Sequence, residues 1–324
     1  MSAGKNGATP HVPVLLDAVT ELLERPDGVV VDVTLGAGGH AAAVVARRLQ
    51  LWGRADLLGI DRDESALSLA RDRIQRELED PRVRIRLVHA RADELARVLD
   101  DEGIDRVAGV LMDLGVSSMH LDRPERGFSY RTDGPLDMRM DPSQGTTAAD
   151  LVNGLVASEL AALIARYGEE RFARRIADAI VAARPIDGTV RLAEVVRDAI
   201  PAATRRTGGH PATRTFQALR IAVNDELGSL ASTLPVAIDR LAEDGVLVVM
   251  SYHSLEDRIV KRALAAAATG CVCPPDLPVC GCGRRPLVEH VVRRPLTADA
   301  EERRRNPRSG SVRLRAVRRL AVAA

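Results

Sequence analysis

The sequence predicts an α/β fold: a mainly parallel sheet, covered by helices on both faces, with an inserted all-helical domain. Three observations carry this. Short apolar runs alternate with helical patterns from Gly28 to Asp113, as strands and crossover helices do in a parallel sheet. The alternation stops at Gly115 and gives way to a long, almost wholly helical stretch. It resumes near Thr215. A chain of 324 residues has room for both parts.

The residues 1–10 are small and polar and predict a flexible leader. From His11 to Glu24, Val14, Leu15, Ala18, Val19, Leu22 and Leu23 recur at near-helical spacing, and Pro26 ends that helix. Gly28 to Val33 is a β-branched strand closed by Thr34-Leu35-Gly36-Ala37-Gly38-Gly39-His40, with an Ala/Val-rich helix to Leu49 after it. A second strand, Ala55 to Ile60, ends at Asp61 and leads into a helix from Ser65 to Leu78. The third, Val83 to Val88, precedes a short helix from Asp93 to Leu99, and the fourth, Val107 to Met112, stops at Asp113.

From Gly115 to Gly145 the chain is rich in Gly, Pro, Ser, Arg and Met without a period. Helices are expected over Leu151 to Tyr167, Arg171 to Ala183 and Val190 to Ile200. One helix from Thr215 to Leu241 and an apolar strand, Val246 to Met250, restore the α/β pattern and lead to Ser251-Tyr252-His253-Ser254. The alternation inside Ser311 to Leu320 suits a last strand. The expected division is a discontinuous core, 11–118 and 215–320, and a helical substrate-recognition domain, 119–214.

With 46% hydrophobic and 28% charged residues, the chain can bury a sizeable core, and wholesale disorder is excluded. A net charge of +1 gives no global steering towards nucleic acid, but from Arg284 to Arg319 twelve arginines face four acids. That end reads as a basic arm on a nearly neutral body. No secretory n-region and h-region precede the fold, and no apolar run reaches the roughly 18 residues of a membrane span. A cytoplasmic location and no membrane partner are expected. All four cysteines fall between Cys271 and Cys282, which in a reducing compartment suits a metal or reduced-thiol site better than a disulfide framework.

The glycine turn matches G-x-G-x-x-[GA] through Gly36, Gly38 and Ala41, the pattern that brings backbone and a helix N-terminus close to a ligand. Asp61 at the end of the next strand suits ribose hydroxyls. Together they point to an adenosine-containing cofactor on a Rossmann-like sheet, without separating NAD from S-adenosylmethionine. Asp113 tips the balance, because it ends the fourth strand and is followed by Leu114-Gly115-Val116-Ser117-Ser118, where methyltransferases of this class place residues that meet both methyl donor and acceptor. The catalytic His or Lys motif of a dehydrogenase is not found.

The sequence resembles the RsmH (MraW) family, the 16S ribosomal RNA (cytosine-N4)-methyltransferases, from His11 to about Arg315. The matching motifs are His11-Val12-Pro13-Val14-Leu15-Leu16, Gly38-Gly39-His40, Ile60-Asp61-Arg62-Asp63, Asp113 to Ser118 and Arg126-Gly127-Phe128-Ser129. They continue through Gly134 to Met140, Thr215 to Asn224 and Ser251 to Arg258. The resemblance implies a Rossmann-like methyltransferase core with a helical insert, and S-adenosylmethionine held by Gly38, Gly39, His40, Asp61 and Asp113. Two further contacts fall near Ala92 and His120, where family members carry Phe and Gln, so backbone contacts are what it supports there. The implied partner is 16S RNA of the small ribosomal subunit; a homodimer is left open.

A cytosine N4 amine is a poor nucleophile, because its lone pair is delocalised into the ring. The enzyme must hold it in line with the sulfonium methyl and accept its N–H hydrogens. Asp113 is a candidate for that acceptor, with anchoring of the cofactor alone the competing role. Tyr252 and His253 are candidates for contact with a flipped-out base, with plain packing as the competing role. Asp137 and Arg139 read as a loop-fixing salt bridge ahead of an RNA contact. Cys271-x-Cys273 and Cys280-x-Cys282 offer four sulfurs to zinc; a loop of reduced thiols is the alternative, and no metal is needed for methyl transfer. Three functions are weighed: the RNA methyltransferase, an NAD-dependent oxidoreductase, and a non-catalytic RNA-binding or assembly module.

Overall fold

The computed structural model describes residues 13–25, 28–78, 80–202, 210–274 and 281–321. The leader, His11 and Cys280 lie outside them. The chain divides into two compact units, the first made of residues 1–61, 65–114 and 233–324, the second of 62–64 and 115–232.

In the first unit, helix α1 (Leu16–Leu22) precedes strand β1 (Val30–Asp32), α2 (Gly39–Trp52), β2 (Ala55–Asp61), α3 (Glu64–Glu77), β3 (Val83–His89), α4 (Leu95–Asp101) and β4 (Val107–Asp113). The second unit carries α5 (Ser118–Asp122), α6 (Ala148–Gly154), α7 (Ala157–Gly168), α8 (Ala173–Ala182), α9 (Thr189–Ala199) and α10 (Thr213–Asn224). Helix α11 (Glu226–Arg240) returns the chain to β5 (Leu241–Ser251), α12 (Ser254–Ala268), β6 (Val288–His290), α13 (Ala300–Arg305) and β7 (Arg313–Arg319).

The sheet order is β3-β2-β1-β4-β5-β7-β6. Strands β1 to β5 pair in parallel, and β7 runs antiparallel between β5 and β6. This is a doubly wound, Rossmann-like arrangement, and its switch point lies between β1 and β4, where ligands bind at the carboxyl ends of the strands. Strand β4 is buried from Val107 to Met112, which is why it reads as an unbroken apolar run. Strand β6 escapes a sequence reading because Val288 is the one apolar and buried residue of its three, which leaves no run or alternation.

The second unit has its own core: Leu160 and Ile164 of α7, Ile176 and Ile180 of α8, Leu192 and Val196 of α9, Phe216 and Leu219 of α10. Those last two correct the expected boundaries. The second unit runs from Gly115 rather than 119, and past 214 to Ser232, so it includes α10, whose Phe216 and Leu219 sit in its core. The single helix expected from Thr215 to Leu241 is also two, broken at Asp225, whose φ is +47°. Beside the break, buried Asn224 donates from Nδ2 to the Met138 carbonyl at 2.8 Å and accepts the Met140 N–H on Oδ1 at 2.8 Å. The side chain thereby braces the irregular Gly134–Met140 segment.

Candidate active site

Strand β1 delivers Asp32 to the switch point, and the chain turns through Thr34 to Gly38 into α2. Gly36 and Gly38 have φ of +52° and +73°, a region that favours glycine. A Cβ on Gly38 would meet Ala70 Cβ at 3.0 Å, and one on Gly39 would meet Pro13 Cγ at 2.6 Å. These two glycines therefore let α3 and the amino-terminal segment close on the turn. Of the three, Gly36 faces open space, its nearest neighbour being the Thr34 carbonyl oxygen at 3.9 Å. The Gly36 N–H donates to Asp61 Oδ2 at 2.7 Å and the Gly38 N–H to the Leu35 carbonyl at 2.9 Å. The turn thus directs these donors inward, whereas a dinucleotide site aims its N–H groups at a pyrophosphate. One oxygen of Asp61, expected to meet ribose, is taken by the turn.

Asp113 at the end of β4 is held from several sides. Its N–H donates to Thr34 Oγ1 at 2.6 Å, and its Oδ1 accepts the Tyr252 hydroxyl at 2.7 Å. Its Oδ2 lies 3.5 Å from His40 Nδ1, and its side chain keeps 28% exposure. Buried His40 donates from Nε2 to the Val14 carbonyl at 2.9 Å, since a carbonyl oxygen can only accept. Next along, Leu15 adopts φ +51°, and its N–H donates to Glu302 Oε1 at 2.6 Å. The Pro13-Val14-Leu15 motif thus fixes His40, and His40 flanks Asp113.

Asp32 was not among the expected residues. It is 3% exposed, with Oδ1 accepting the Thr34 N–H at 3.1 Å. Burial, with the charges of Asp113 and Asp61 added, pushes its carboxyl from 3.8 up to about 7, although hydrogen bonds from Thr34 pull it down. Three acids therefore converge at the ends of β1, β2 and β4. Such a field repels a pyrophosphate and attracts a cation, which fits the sulfonium and ammonium of S-adenosylmethionine. Tyr252 is pushed well above the ordinary tyrosine range by burial and by Asp113, so its hydroxyl stays protonated and donating. The available signal was an ionisable residue inside the apolar run of β1.

Tyr252 and His253 follow β5. The Tyr252 ring packs against the sheet core, and its N–H donates to Glu256 Oε2 at 2.8 Å. His253 is the N-cap of α12: its Nδ1 accepts the Glu256 N–H at 3.4 Å, while Glu256 Oε2 accepts the His253 N–H at 3.3 Å. Ala92 opens a short 3-10 turn beyond β3. Asp61 and Asp113 thus end strands of the first unit, and Gly38, Gly39, His40, Ala92, Tyr252 and His253 lie beyond strand ends of the same unit.

His120 belongs to the second unit. Its Nε2 lies 3.0 Å from Asp63 Oδ2 and its Nδ1 lies 3.2 Å from Ser117 Oγ. The same Asp63 oxygen accepts Arg126 at 2.8 Å, and Arg126 also donates to the carbonyls of Arg139 and Met140. Asp137 and Arg139 form a two-pronged pair, both prongs at 2.8 Å, which fixes the loop as the sequence suggested.

The basic arm needs correction. Arg313 and Arg315 lie on β7 and grip Asp257 at 2.8 Å each, while Arg318 pairs with Glu289. The alternation that predicted a strand also put these arginines beside acids of the same unit. Arg303, Arg304 and Arg305 are exposed on α13, with Arg305 paired to Glu301.

A family model described as the MraW methylase family matches residues 8–320. The chain belongs to the MraW methylase family. Among its relatives, the Ribosomal RNA small subunit methyltransferase H of Heliobacterium modesticaldum is 49% identical over 96% of this chain and 98% of its own length. The protein of the same name from Mycolicibacterium paratuberculosis is 53% identical over 95% of this chain and 82% of its own. A solved rRNA methylase from Streptococcus thermophilus is 11% identical over 94% of each chain with a TM-score of 0.41, so the fold assignment rests on the strand order. As a methylase of this family the chain is an enzyme that uses S-adenosylmethionine, and the oxidoreductase and non-catalytic readings fall away.

Proposed function

We propose that this MraW-family methylase transfers a methyl group to the exocyclic N4 amine of a cytosine in 16S RNA of the small ribosomal subunit, in the cytoplasm. The names of the relatives support the RNA class, and the position of Asp113 carries the chemistry. No described helix is long and apolar enough to cross a membrane.

S-adenosylmethionine, when bound, supplies the electrophilic methyl. Gly36 to His40, Asp61 and the backbone at Ala92 would hold its adenosine end, and Asp32 and Asp113 would face its positive charge. Asp113 also accepts an N–H of the amine, which orients the lone pair and receives the proton that must leave. Tyr252 and His40 are positioning residues. Tyr252 donates to Asp113 Oδ1, His40 packs beside Oδ2, and His253 fixes Tyr252 by capping the next helix. In the second unit, exposed Arg166, Arg171, Arg174 and Arg175 offer phosphate contacts, with the Arg171 guanidinium 4.6 Å from the Phe172 ring centroid.

The test is mass spectrometry of 16S RNA from small subunits lacking the modification, incubated with protein and methyl donor. N4-methylcytidine at one position is expected. Methylation at carbon 5, or of another base, would overturn the reading.

A further inference from the structure

Between the end of α12 and β6 the chain makes an excursion that the methyl-transfer site does not use. Its ends are tied together: Arg284 donates to the Ala266 carbonyl at 2.8 Å and the Leu287 N–H to the Ala267 carbonyl at 2.8 Å. Among the described residues of the excursion, 271–274 and 281–283, none is buried, and Val272 is 57% exposed. The described residues of this excursion therefore gain no stability from apolar burial, and a crosslink would supply it.

Three thiols supply the means. The Sγ atoms of Cys271, Cys273 and Cys282 all lie within 4.8 Å of one another. Those of Cys271 and Cys282 are 3.7 Å apart. Two sulfurs each about 2.3 Å from a tetrahedral zinc are separated by roughly 3.8 Å, so the spacing is that of one edge of a zinc tetrahedron. The backbone is arranged to match. The Cys273 N–H points at Cys271 Sγ at 3.4 Å, as the outer contacts of a metal-bound thiolate do. Gly283, at φ +61°, lets the chain turn directly after Cys282.

We propose that Cys271, Cys273 and Cys282 bind a zinc ion that ties residues 271–274 to residues 281–283. The site is structural: three soft thiolates select a soft divalent ion, and methyl transfer makes no use of it.

The untagged full-length protein, purified under reducing conditions without chelator, should carry close to one zinc per chain by elemental mass spectrometry. Cys271→Ser, Cys273→Ser and Cys282→Ser should each lower this to under about a tenth, with the far-ultraviolet circular dichroism of the two units kept. Cobalt(II) added to metal-free wild type should give thiolate-to-cobalt charge-transfer absorption, a readout that does not depend on any variant folding. Wild-type protein that retains under about a tenth of an equivalent after incubation with zinc and desalting would overturn the site. So would zinc retained by the triple serine variant, or cobalt-bound wild type without the thiolate band.

Discussion

Two carboxylates, one in each unit, show how the same side chain is turned to opposite ends. Asp32 at the switch point and Asp137 in the second unit both lose solvent, which pushes both upward. At Asp137 the Arg139 guanidinium outweighs burial, with Arg126 adding its charge, and the carboxyl is held below its ordinary value. At Asp32 the neighbouring charges are those of Asp113 and Asp61, and the carboxyl rises to about 7. The first arrangement fixes a loop. The second stores repulsion that a cationic ligand relieves, which marks a binding site rather than a brace.

The largest effect is expected at the acid that completes the cluster. Asp113→Ala should lower turnover by about 10²–10⁴-fold, the usual share of a proton acceptor. Methyl-donor affinity measured separately divides that loss between chemistry and binding. Tyr252→Phe should give a smaller loss of the same kind, seen in kcat more than in KM for RNA. Equal turnover in wild type and Asp113→Ala would leave Asp113 as a bystander.

Asp32→Asn tests the stored repulsion. Because the folded chain keeps a proton on Asp32 that the unfolded chain gives up between pH 3.8 and about 7, the wild type loses stability as pH rises through that window. The Asn variant stays neutral. Its advantage in urea denaturation should grow from nothing near pH 4 to a few kcal/mol above pH 7, gaining roughly 1.4 kcal/mol with each step of one in pH. A constant difference across the window would place no raised carboxyl there.

Asp137→Asn should do the reverse and do less. A lowered carboxyl contributes stability that is present above its unfolded value near pH 4 and lost as pH falls below it. The variant should cost about 1 kcal/mol at neutral pH and converge with wild type in acid. Continued divergence below pH 4 would contradict the pairing with Arg139.

The smallest effect is expected on α13. Changing Arg303, Arg304 and Arg305 together to Ala should raise KM for the RNA a few-fold and shallow its salt dependence by about two counterions, leaving the methylated position unchanged. Arg315→Ala, by contrast, should act on stability, because Asp257 loses a partner.

Sequence periodicity revealed the strands of the sheet centre, since buried parallel strands are continuous apolar runs. It also marked Gly38, Asp61 and Asp113, which stand where such runs stop. Asp32 was hidden because it sits inside a run, where its role depends on charges at the ends of two other strands. The pairing of Arg313 and Arg315 was hidden for a similar reason, their partner Asp257 lying more than fifty residues away. Phe216 and Leu219 sit on a helical stripe that looks the same whichever unit it packs into. Their assignment needed the three-dimensional contacts.

The central claim, that the acids at the switch point await a cation, is tested most directly by the proton that binding should expel. S-adenosylmethionine titrated by calorimetry near pH 7, in two buffers of different ionisation enthalpy, should release up to about half a proton per site from wild type, because a bound cation lowers a carboxyl poised near that pH. Affinity should rise with pH through the same range, and Asp32→Asn should release almost none. The same proton count from wild type and Asp32→Asn would contradict the account.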